Sequence, residues 1–132
     1  MPTAKGTFSV VATRQPQADP FAEMVVGRMK FNKIFEGDFV AESVVEMLSF
    51  STGVDGSAVY VAIERLSGTL GGKTGTFAMH HTGIMVRGVP NLSVRVVPDS
   101  AKGELAGLTG TLQIEITGGQ HFYTFEYDLA GA

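Results

Sequence analysis

Glu64 and His81 are the residues whose types could do chemistry. A histidine on an apolar strand face can orient a ligand, move a proton, or be a core residue satisfied by one neighbour. A glutamate sharing its compartment would complete an acid–base pair, which makes Glu64 and His81 the catalytic candidates. His121, Tyr123 and Tyr127 recur at alternate positions near the end of the chain, and with His81 they form the ligand-binding set. The tyrosines act either as hydrogen-bond donors to a guest or as aromatic core residues whose hydroxyls reach a rim.

Other motifs carry less. Ser67-Gly68-Thr69-Leu70-Gly71-Gly72-Lys73-Thr74 nearly matches a phosphate-binding loop. It has serine where the first glycine belongs, and the segment after it reads as a strand, whereas such a loop needs a helix whose amides face the phosphates. His80 and His81 are adjacent, so in a strand they point to opposite faces. A metal centre would need distant residues such as His81, His121 and a carboxylate, and neither a metal nor a cofactor is expected. Arg28-Met29-Lys30-Phe31-Asn32-Lys33 interleaves basic and aromatic groups but is too short for a nucleic-acid footprint, and it reads as an ordinary exposed strand face. The net charge of −3, with no long run of either sign, agrees.

Alternation along the chain positions these residues. Leu108, Gly110, Leu112, Ile114 and Ile116 alternate with Thr109, Thr111, Gln113, Glu115 and Thr117, one apolar face and one polar. The segment from Gly103 aligns without gaps on the one from Gly68, 35 residues earlier, and each copy reads as strand end, glycine turn, strand start. Carrying the register back puts Phe77, Met79 and His81 inward and His80 outward. His121, Tyr123, Phe125, Tyr127 and Leu129 share the inner face of the last strand. Further strands are read at 6–13, 22–35, 38–51, 57–68 and 91–98. Val40, Val44, Met47 and Leu48 in the third would also suit a helix face, although Gly37-Asp38 and Gly53-Val54-Asp55-Gly56 frame it as hairpin turns. The fourth is two-sided. Val59, Val61 and Ile63 argue that the odd face is interior and Glu64 outside, while Tyr60, Ala62, Glu64 and Leu66 form the other face. Glu42 and Glu46 share this ambiguity.

About eight strands with short turns predict an all-β, closed, antiparallel up-and-down barrel, because closure removes unpaired edges. A β-sandwich is the alternative. The 132 residues form a single domain, 1–132, with 17 glycines for turns and no cysteine. No apolar leader or membrane-length apolar run is visible, so a cytoplasmic protein with neither membrane nor nucleic-acid partner is expected.

Several segments, in order, resemble an uncharacterised bacterial domain family grouped with allene oxide cyclase-like barrels. They are Phe35-Glu36-Gly37-Asp38, the run from Ile63 to Phe77, His81-Thr82-Gly83, Val96-Val97-Pro98, Gly103 to Leu108, and His121 to Tyr127. The resemblance implies an eight-stranded antiparallel barrel and little about activity. The plant cyclases of that barrel class use a glutamate and a cysteine, and this chain lacks the cysteine.

Three functions stand as expectations. The first is a barrel that binds a small apolar or amphipathic molecule in its lumen. The second is an isomerase or cyclase using Glu64 or His81, and the third is a filled barrel acting as an oligomeric module. Apolar outer residues (Met24, Val25, Val26, Val59, Tyr60 and Val61) make a homodimer the expected assembly.

Overall fold

Strict alternation of apolar and polar side chains can be buried only if one face of every strand meets a common interior. The computed structural model, which describes residues 2–16, 24 and 26–129, is built this way. The strands are β1 (Thr3–Arg14), β2 (Gly27–Gly37), β3 (Phe39–Ser51), β4 (Ala58–Leu70), β5 (Lys73–Val86), β6 (Val89–Val96), β7 (Lys102–Gly103), β8 (Thr109–Thr117) and β9 (Gln120–Asp128). All neighbours are antiparallel. β1 to β6 pair in chain order, β6 meets β8, β8 pairs with β9, and β9 returns to β1. The result is a closed eight-stranded barrel, with the two-residue β7 bridged to β5. A sandwich would leave open edges, and β4–β5 and β9–β1 pairing removes them. The segment 38–51 is strand, paired with β4 from Phe39 to Ser51. Among the described residues, no helix is long and apolar enough to cross a membrane.

Seven seams of the barrel run over several residues. The eighth, between β6 and β8, is backbone-paired at one position only, Arg95 opposite Thr111.

The glycine signatures have two outcomes. Gly71 and Gly72, both with positive φ (58° and 80°), close the β4–β5 hairpin, a geometry a Cβ would oppose. The phosphate-loop-like segment is therefore a hairpin turn. The second copy is not a hairpin. Pro98 and Asp99, the latter left-handed at φ 62°, interrupt the chain before it, and β7 pairs with β5 rather than β8. Turns closed by Ala106 N–H to Gly103 O and Leu108 N–H to Leu105 O instead bury Leu105 and Leu108 in the core.

The core fills one half of the barrel. Phe35, Phe39, Phe77, Tyr123 and Phe125 are all buried, with Phe39 at the centre: its ring lies 5.3 Å from Phe35, 5.8 Å from Phe77 and 6.0 Å from Phe125.

The fourth strand corrects one expectation. Val59, Val61 and Ile63 are 40%, 49% and 53% exposed on the outer wall, and the even face points inward. Leu66 pairs with Phe77 and Ala62 with His81, so the register that buries β5 also turns Glu64 inside. Glu42 and Glu46 face out.

Candidate functional site

Four strands each send one polar side chain to the same level of the interior, one step along from the aromatic core. Residues two apart on a strand share a face, so Lys33 follows Phe35 on β2, Ser43 follows Ala41 on β3, Glu64 follows Leu66 on β4 and His81 follows Met79 on β5. Glu64 is at the centre and is 1% exposed. Ser43 Oγ donates to its Oε2 at 2.6 Å, while Oε1 accepts from His81 Nε2 at 2.7 Å and faces Lys33 Nζ at 3.4 Å. Lys33 and His81 are 8% and 5% exposed. The Lys33 ammonium also lies 4.7 Å from the centre of the Phe8 ring, close enough for a cation–π contact.

The electrostatics follow from these contacts. Burial pushes the Glu64 carboxyl upward. The His81 hydrogen bond, the Lys33 charge and the Ser43 hydroxyl outweigh it and hold the group below its ordinary value. Glu64 is thus a carboxylate, which only accepts, so the His81 Nε2 carries the proton of that bond.

Tyr60 lies two residues before Ala62 on the same inner face, its ring centre 6.5 Å from that of His81. Burial, and then the Glu64 charge, push its phenol above the ordinary value. Its ring rests on Gly83, where a Cβ would overlap it. Beyond Tyr60 an open cavity of about 340 Å³ lies at the rim formed by β3 to β6, walled by the inward Met47, Ala58, Met85 and Leu92 and flanked by the outward Val59 and Ile84.

The structure brings Glu64 and His81 together and separates the other sequence candidates from them. The Tyr123 hydroxyl accepts from Phe39 N–H at 2.9 Å and lies 2.9 and 3.0 Å from the carbonyls of Glu36 and Phe39. It latches the β2–β3 turn, and its one proton goes to a backbone carbonyl rather than to a guest. Burial pushes its phenol up. Tyr127 is half-buried against Phe125, 5.5 Å between ring centres, near the Gly71 turn. His121 is half-buried against Phe8 at 5.0 Å. None of these three lines the mouth cavity.

Sequence reasoning misses Lys33, Ser43 and Tyr60. It leaves Lys33 on an exposed face, but Lys33 follows Met29 and Phe31 at strand spacing, and those two with Phe35 mark an inner face. Of the expected outer patch, Val26, Val59, Val61 and Met24 are exposed, Tyr60 points inward, and Val25 lies outside the described residues. Among the described residues no group of three or more His, Cys, Asp or Glu is arranged to hold a metal ion.

Comparison with known proteins supplies a family. A family model described as a protein of unknown function (DUF3224) matches residues 4–127. The chain is similar to a crystal structure of a protein of unknown function from that family, from Shewanella oneidensis MR-1. The two are 44% identical over 100% of this chain and 99% of the other, with a TM-score of 0.93. No curated protein matches the chain.

Proposed function

The chain belongs to the DUF3224 family, and from that premise we propose that it is a binding barrel whose guest is a small apolar or amphipathic molecule held in the mouth of the lumen. The cavity of about 340 Å³ at the rim carries this reading. Its size falls within the roughly 300–1,000 Å³ of small-molecule sites, and such sites are mostly apolar with a few placed polar groups. The aromatic core fills the barrel beneath, so the guest goes no deeper than Tyr60 and the charged layer.

For the outer wall we propose a second copy of the chain. Leu48, Val59, Val61, Ile63 and Ile84 make an apolar row across β3, β4 and β5. It is bordered by Glu46 and Arg65, an exposed pair 3.2 Å apart. An isologous two-fold contact would cover this row with the same row of the partner. One experiment reads both proposals. Native mass spectrometry of the purified protein is expected to show twice the 14.0 kDa chain mass, plus a retained small molecule. A bare protein that also ignores a panel of fluorescent apolar probes removes the binding reading, and a monomer at micromolar concentration removes the dimer.

A second reading, proton transfer, is favoured by the 2.7 Å contact between Glu64 and His81, since a carboxylate that orients an imidazole prepares it for acid–base work. It predicts deuterium uptake next to the carbonyl of a methyl ketone in heavy water, abolished in His81→Phe. Uptake no faster than in buffer rules it out.

A further inference from the structure

The inner face of the mouth cavity carries two polar side chains, Ser49 and Tyr60, both uncharged, and no charged residue lines the cavity. Tyr60 stands next to the Glu64 layer, its ring centre 6.5 Å from that of His81. Among the described residues no protein group hydrogen-bonds its hydroxyl, which is open to the cavity rather than sealed in the core. The contact of its ring with Gly83 fixes where that hydroxyl stands before any guest arrives.

We propose that Tyr60 selects the guest: a small uncharged amphiphile with one carbonyl-type acceptor at its inner end. This rests on the binding reading above and adds the ligand's class. A phenol with no partner donates, and an acceptor on the guest satisfies it, whereas a hydrocarbon end leaves it unpaired. A carboxylate end is disfavoured because the walls offer it no cation, and the Lys33 ammonium of the layer behind Tyr60 is already matched by Glu64. The raised phenol stays a donor through the neutral range.

The test compares 2-decanone with decanoate, dissociation constants being measured by calorimetry on wild type and Tyr60→Phe. Phenylalanine keeps the ring on Gly83, and circular dichroism checks the fold. The ketone is expected to bind wild type about tenfold or more tighter than decanoate, and Tyr60→Phe should erase most of that margin while leaving decanoate unchanged. Decanoate binding as tightly as the ketone overturns the selection by Tyr60, as does a ketone affinity unaltered by Tyr60→Phe. Binding of neither compound to either protein overturns the binding reading itself, so the two failures are distinguishable.

Discussion

Glu64→Leu is expected to lower the unfolding free energy by about 3–5 kcal/mol, the range for removing one partner of a buried ion pair. The wild-type carboxylate answers Lys33, Ser43 and His81 together. Leucine leaves the Lys33 ammonium 8% exposed with no counter-charge. Urea denaturation at pH 7 measures the loss. Lys33→Met combined with Glu64→Leu should lose less than the sum of the singles, because the second change removes the stranded charge. The pH dependence has a definite sign. The folded Glu64 pKa lies below that of the unfolded chain, so its contribution is fully present above about pH 4.3 and disappears as pH falls through the folded value. That part of the acid limb should vanish in Glu64→Leu. A variant within about 1 kcal/mol of wild type would show that the network stabilises nothing.

Phe39→Ala should cost a similar amount, about 3–5 kcal/mol, the range for a buried phenylalanine cut to alanine. Phe39 is fully buried, and its ring meets Phe35, Phe77, Tyr123 and Phe125. Its backbone N–H also holds the Tyr123 hydroxyl, so a shifted β3 start would loosen that latch as well. The outward Phe122 offers the contrast, and Phe122→Ala should stay within about 0.5 kcal/mol. Equal denaturation midpoints for the two variants would contradict an aromatic core centred on Phe39.

Much of the fold is legible in the sequence because β8 and β9 bury one face and wet the other. Leu112 and Ile114 against Gln113 and Glu115 give the period directly, and Tyr123 and Phe125 repeat it. The orientation of β4 is not legible that way. Its outer residues Val59, Val61 and Ile63 are as apolar as its inner ones, so a hydrophobicity rule turns Glu64 outward. What turns it inward is the arrival of Lys33, Ser43 and His81 from three other strands, a tertiary fact that no window on β4 contains. Tyr60 escapes for the same reason: its partner in pairing, Gly83, belongs to β5. The second glycine segment misleads in the opposite direction. A turn signature is present, but Pro98 and Asp99 have already broken the strand that would have made it a hairpin.

The lone rung between Arg95 and Thr111 makes the cylinder behave like a rolled sheet pinned once along its length rather than a riveted hoop. Its girth can change there at the loss of very little backbone pairing, while the other joins keep their register.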